Sequence, residues 1–394
     1  MRYFTASLLM LVIGMILSGC FARPLLYEVS VHPDTISPNA DGKEDVARVS
    51  YKLSRQAEIS IYLLDSEGEK HYFREDKRRV PGEYFALFGG VVDGRLMPDG
   101  DYTCVVEAKD EGGRVAKEEK PFRIAGGDFT PLEITKFTVY PDTFTPNRDG
   151  IKDRVSISYY LNKDATVNIY LLGPGGETYP IPEEKITKPG VAGHHEHDYE
   201  GGVDLGATPP PDGTYTVVVE AVDKVGNTAR ATSPLTIVGG GVPRAEIINR
   251  AAKWDPLVVP LGGTLTFTAT VENIGTVPIR TKGPQPGTTY TTSENFNTLG
   301  FYEEPGIFRL GADFEGNSQG RKYPYRWQLG RDDELTLIEG QKYLMPGQRV
   351  TIVGHIKIVD KPPKINPHYW IGLIHEQVAI VNDWVEVTEI SVGF

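Results

Sequence analysis

The chain has 394 residues, with 53 acidic against 41 basic side chains and a net charge of −12. That balance argues against nucleic acid as a partner and against a basic membrane-surface patch. Two cysteines, 43 glycines and 29 prolines point away from a disulfide scaffold and towards many short strands joined by turns, in two to three domains.

In chain order, the first element is an N-terminal leader. Arg2 opens it, and residues 6–17 form an almost unbroken apolar run. The run is too short to span a bilayer comfortably, since a spanning helix needs ~20 apolar residues, and it suits the apolar region of a signal peptide. It ends in Leu17, Ser18, Gly19 and Cys20. This ending resembles the lipobox of bacterial lipoproteins. The resemblance implies cleavage before Cys20, with residues 1–19 removed as signal peptide. It also implies a diacylglyceryl group on the Cys20 thiol, palmitate-type acylation, and a short tether over 20–26. An ordinary signal peptide or membrane anchor with a chance cysteine is the alternative. Phe21 follows the cysteine and no Asp stands there as a retention signal. The expected location is therefore the outer membrane, or the outer face of the cell membrane where there is only one.

Two internal repeats follow. Val31, Pro33, Asp34, Pro38, Asn39, Asp41, Gly42 and Asp45 recur, at an offset of 108, as Val139, Pro141, Asp142, Pro146, Asn147, Asp149, Gly150 and Asp153. Val49, Tyr51, Leu53 and Ile59, Ile61, Leu63 alternate in the first copy; Ile157, Tyr159, Leu161 and Val167, Ile169, Leu171 answer them. Period-two alternation predicts strands with one buried face. Pro98, Asp99, Gly100 and Tyr102 return as Pro211, Asp212, Gly213 and Tyr215 at an offset of 113, which predicts a five-residue loop insertion in the second copy. Cys104 aligns with Val217 and is expected in the core with Tyr102 and Val106, acting as a small apolar side chain.

About seven short apolar runs per copy, separated by Gly, Pro, Asn or Asp, read as a two-sheet sandwich. The Ser-Pro-Asn-x-Asp-Gly start and the Pro-Asp-Gly-x-Tyr end resemble the immunoglobulin-like domain of the flagellar hook-capping protein, over 27–124 and 133–238. The family's Trp-Asp-Gly motif is replaced here by Phe88-Gly89-Gly90 and Tyr199-Glu200-Gly201. A flagellar role does not follow, because the domain is a generic module.

Glycines 126–127 and 239–241 punctuate the copies, and 243–394 change character, holding all four tryptophans: Trp254, Trp327, Trp370 and Trp384. Leu265, Phe267, Ala269 and Val271 alternate, as do Val350, Ile352, Ile356 and Ile358. The Asn273-Ile-Gly275 and Pro346-Gly347 turns resemble an immunoglobulin-like accessory or adhesion-type module. The expected class is thus all-β, with three tandem immunoglobulin-like β-sandwiches. Residues 281–330 are read as an aromatic insertion in the third. Long irregular insertions are often functional, so Tyr302, Tyr325 and Trp327 are candidate platforms for sugar or peptide; closing the end of the sandwich is the competing role.

Catalytic patterns are sparse. Gly316-Asn-Ser318-Gln-Gly320 matches a nucleophile elbow without the helix it needs. His194, His195 and His197 suggest a metal, but aligning Glu83 and Phe85 with the last two makes a polar strand edge the simpler reading. His375-Glu376 lacks the second histidine of a zinc-protease helix. No enzymatic activity is expected. Asn39, Asp41, Asp45 and Asn147, Asp149, Asp153 are candidate calcium ligands on glycine-containing turns, the alternative being Asx turns that close on themselves; no cofactor is required. The expected function is a lipid-anchored extracytoplasmic structural or interaction rod, an adhesion protein or scaffold. Its partners would be the membrane through the anchor and other envelope proteins or polysaccharide. A polysaccharide- or cell-wall-binding module, or an accessory subunit of a surface enzyme, are the alternatives.

Overall fold

The computed structural model describes residues 23–182, 189–364 and 366–393. The leader and Cys20 lie outside them. Among the described residues helical structure is confined to one 3-10 turn, Val203–Leu205, and no helix is long and apolar enough to cross a membrane. The chain is all-β.

The first repeat folds as two facing sheets. Leu26–His32, Ala47–Leu53 and Gly82–Phe88 form a three-stranded sheet. Thr35–Ile36, Val115–Ile124, Gly100–Asp110, Ala57–Leu64 and Lys70–Arg79 form the five-stranded one. The second repeat has the same order. Ile134–Tyr140, Val155–Leu161 and Gly193–Tyr199 face Thr143–Phe144, Thr228–Ile237, Gly213–Asp223, Ala165–Leu172 and Thr178–Pro180. The alternating residues point inward: Val49, Tyr51, Leu53, Ile59, Ile61 and Leu63 share one core, and Ile157, Tyr159, Leu161, Ile169 and Leu171 another.

The repeated motifs have local jobs. Tyr102 Oη donates to the Pro98 carbonyl at 2.8 Å and Tyr215 Oη to Pro211 at 2.7 Å. Asp99 accepts from Gly126 N, and Asp212 from Gly239 N and Gly240 N, so each Pro-Asp-Gly-x-Tyr motif ties down the glycine linker that follows its domain.

Strand register corrects two expectations. Phe88 pairs with Ala47 and Tyr199 with Val155, a spacing of 111 between copies. The insertion is therefore split, three residues before Tyr199 and two after it. The same register sets His195 opposite Tyr159, where the first repeat sets Tyr84 opposite Tyr51. His195 and His197 thus correspond to Tyr84 and Ala86, not Glu83 and Phe85. A one-residue slip exchanges the two faces of a strand. Both imidazoles are buried and stacked on Tyr159, at 5.1 and 5.6 Å.

In the third domain Ala245–Asp255, Thr264–Asn273, Arg349–Lys357 and Thr289–Thr291 form one four-stranded sheet; Tyr325–Gln328, Phe308–Phe314, His368–His375 and Ala379–Glu389 form the other. Residues 281–330 are therefore not an insertion. Phe308–Phe314 is an inner strand and Tyr325–Gln328 is buried throughout. Tyr325 and Trp327, expected as platforms, are fully buried among Phe267, Tyr290 and Tyr369. Their apolar area closes the sandwich, and a ring without an exposed face offers nothing to stack on.

Candidate functional site

The repeated acidic turns close on themselves. Asp45 Oδ1 accepts from Asn39 N and Ala40 N, and its Oδ2 from Gly42 N at 2.8 Å. Asn39 Oδ1 takes Asp41 N, and Asp41 Oδ1 takes Lys43 N. Asp153, Asn147 and Asp149 repeat the pattern. Gly42 and Gly150 sit at φ 84° and 82°, the left-handed region that the turn demands. The surroundings differ. The first turn is exposed, and a Cβ on Gly42 would touch nothing. The second is covered by the third domain. Tyr343 Oη donates to Asp149 Oδ2 at 2.7 Å, and His375 Nε2 to the Arg148 carbonyl at 2.9 Å. A Cβ on Gly150 would lie 2.1 Å from the Pro305 carbonyl oxygen. Burial, then the neighbouring Asp149 charge, pushes the Asp153 carboxyl up to about 6. Burial pushes the His375 imidazole down to about 4.

A second junction joins the repeats. Leu96 N donates to Asn227 Oδ1 and Thr228 N to the Gly94 carbonyl, at 2.8 and 2.9 Å. Lys163 bridges Asp128 and Asp223.

The third domain holds a buried charge cluster absent from the sequence reading. Glu376 accepts from Arg309 at 2.9 Å and Arg326 at 2.8 Å, while Glu303 lies 3.2 Å from Arg326. The Phe296 ring faces Arg326 and Arg309 at 4.4 and 5.3 Å. Burial opposes the Arg309 charge and Glu376 supports it. Tyr302, a candidate platform, is exposed, and its carbonyl accepts from Arg309.

The exposed aromatic surface lies elsewhere, on the edge strand Ala379–Glu389. Its pairing with His368–His375 is broken by three register shifts, and Trp384 and Glu386 adopt φ of 54° and 51°. A bulky residue at positive φ is a genuine outlier, of the kind that collects at functional sites. The bulge turns the Trp384 indole outward. It is 55% exposed and stacks on Trp370 at 3.9 Å with an interplanar angle of 18°. Trp384 N donates to Tyr323 Oη, which in turn donates to Asp383 Oδ1. Burial, then the Asp383 carboxylate, pushes the Tyr323 phenol up, so it remains a donor at neutral pH. The Tyr323 side chain packs against Gly311 and Gly372, where added Cβ atoms would come within 2.7 and 2.4 Å of it. Beside the tryptophans opens a cleft of about 520 Å³, bordered by Asp313, Asn317, Arg321, Lys322 and Asp383. One flat ring with a rim of donors and acceptors can hold a sugar ring, its C–H face on the indole and its hydroxyls on the rim.

No family model matches the chain, and no curated protein sequence matches it. Solved structures similar to it include E. coli alpha-2-macroglobulin in its native conformation, at 11% identity and a TM-score of 0.20, covering 94% of this chain and 23% of that one. A tetra-tandem repeat from the extending region of a large adhesion protein aligns at 13% identity and a TM-score of 0.19, covering 93% of this chain and 91% of that one. A Ca2+-stabilised adhesin that helps an Antarctic bacterium bind ice aligns at 14% identity and a TM-score of 0.21, covering 86% and 74%. The chain thus spans about a quarter of the macroglobulin's length.

Other candidates resolve simply. Cys104 is buried and unpaired, and burial pushes its thiol up to about 12, which leaves it inert. Ser318 sits exposed in a loop with no helix behind it. Asp65, Glu69 and His71 bring ligand atoms within 4.8 Å of one another, but Asp65 already holds His71 and closes its own hairpin turn.

Proposed function

We propose that this is a tethered extracytoplasmic interaction protein, anchored by acylation of Cys20. Two sandwich repeats hold the third domain away from the membrane, and that domain contacts polysaccharide through the Trp384 cleft. The observation that carries the display role is the junction between the second repeat and the third domain. Gly150 and Pro305 meet backbone to backbone, with Asp149 and Arg148 each bonded across it. Such a junction fixes one domain on the next, which a spacer needs and a flexible linker would not provide. The ligand class is supported by Trp384 and its polar rim, and replaces Tyr325 and Trp327 as the basis of the polysaccharide reading. Co-sedimentation of the full chain with insoluble envelope polysaccharide tests it. Trp384→Ala is expected to weaken retention about tenfold, a loss of ~1.4 kcal/mol. Equal retention of the variant would overturn the cleft assignment.

Calcium belongs to this reading only at the first turn, where Asn39, Asp41 and Asp45 face solvent; at the second, Tyr343 already occupies Asp149. A calcium-dependent rise in melting temperature that Asp41→Ala removes and Asp149→Ala does not would assign an ion there. An unchanged melting curve would leave both as hydrogen-bonded turns.

A further inference from the structure

The two repeats differ at the end where each chain enters its sandwich. In the second repeat that end is docked on the first: Asn227 accepts from Leu96, and Lys163 and Asn227 hold Asp223. In the first repeat the matching residues are Arg114, Arg55 and Asp110, and both guanidiniums reach Asp110, at 3.2 and 2.9 Å. Lys109 stands where the second repeat has Val222. Strand pairing brings Arg79 opposite Ala57, and Arg78 and Lys109 opposite Glu58, at this same end. Arg78 reaches Glu111 at 2.7 Å. Arg23 is here too, since its carbonyl accepts from Ser54 Oγ. Six cations therefore face three carboxylates, Glu58, Asp110 and Glu111. Neighbouring Lys52 is held by Glu28 and Glu83. With that group counted, this end still has a net positive charge in a chain whose total is −12.

Its position along the chain names the partner. Only Phe21 and Ala22 separate Arg23 from Cys20. At ~3.3–3.6 Å per residue, Arg23 cannot stand more than about 10 Å from an acylated Cys20. That is close to the Debye length, ~8 Å at physiological ionic strength, so these charges stay within reach of headgroups. Resting on the anchoring reading above, we infer that the basic end of the first repeat is a membrane-contact surface for anionic lipid headgroups. It replaces the protein neighbour that the same end has in the second repeat. It adds electrostatic attraction to the hold that the acyl chains on Cys20 give.

The test uses the full mature chain with one myristoyl chain coupled through a maleimide at Cys20. Cys104 is buried and does not compete. Partition is measured on vesicles of phosphatidylcholine, with and without about 30% phosphatidylglycerol. Expected is about tenfold tighter binding to the anionic vesicles in about 0.05 M salt, abolished in about 0.5 M salt. Arg78→Glu with Arg79→Glu and Lys109→Glu is expected to remove the preference. Lys253→Glu with Lys357→Glu, in the third domain, is expected to keep it. Salt dependence of the unmodified chain decides the matter should the triple variant fail to fold. Equal binding to both vesicle types would overturn the contact surface. It would leave anchoring itself untouched, because that is decided separately by whether Cys20 is acylated in cells.

Discussion

Asp45 and Asp153 occupy one position of one motif and titrate in opposite directions. At Asp45, desolvation is outweighed by the N–H groups of Gly42, Asn39 and Ala40, and the carboxyl is lowered. At Asp153 the third domain covers the turn and the value rises to about 6. A raised carboxyl binds its proton in the folded chain where the unfolded chain has lost it. Its contribution to stability is therefore largest at low pH and falls as pH rises from about 4 to about 6. His375, pushed down to about 4, acts oppositely and loses stability as pH falls from about 6.5 towards 4. Asp153→Asn removes the first effect alone. The stability of the variant relative to the native protein should be greater at pH 7.5 than at pH 4.5 by about 2 kcal/mol in chemical denaturation. An equal difference at both pH values would show that Asp153 is not buried by the third domain. The turn chemistry at these positions was legible in the sequence, because Asn, Asp and Gly close such turns locally. The covering domain was not, because nothing in the motif distinguishes a solvated copy from a docked one.

The strands of the third domain show where pattern reading stops. Half-buried strands such as Thr264–Asn273 alternate and were legible. Phe308–Phe314 and Tyr325–Gln328 are buried on both faces, so no period of two marks them and they read as irregular. Arg309, Arg326 and Glu376 are equally hidden, since charges at buried positions look like surface positions in a sequence. Removing one partner of that cluster strands the others without water. Glu376→Ala should destabilise the third domain by about 3–5 kcal/mol, read as the loss of its unfolding transition. A change below about 1 kcal/mol would mean that the cluster is solvated. The tryptophans separate along the same line. Trp327→Ala should cost about 3–5 kcal/mol of stability, while the exposed Trp384 should cost little and act on binding alone. Comparable melting shifts for both would remove Trp384 from the surface.

At the scale of the whole molecule, the net charge of −12 argues against a basic patch, and the fold gathers basic side chains at one end of the first repeat nonetheless. Arg23, Arg55, Arg78, Arg79, Lys109 and Arg114 are scattered over the first repeat and meet only once it folds. The repeats themselves were legible from their motifs; the junctions between domains were not, since they depend on side chains far apart in the chain, such as Tyr343 and Asp149. Tyr343→Phe leaves a buried carboxylate oxygen of Asp149 without its donor. It should loosen the junction between the second repeat and the third domain by about 1–3 kcal/mol, seen as a larger radius of gyration in solution scattering. The same radius in both proteins would mean that the junction is held without that bond. The proposed role rests on the anchor. The most direct measurement is the intact mass of the protein extracted from the membrane fraction. A polypeptide beginning at Cys20 and carrying acyl chains on that residue is expected. A chain that retains residues 1–19, or begins elsewhere without lipid, would contradict the tethered role.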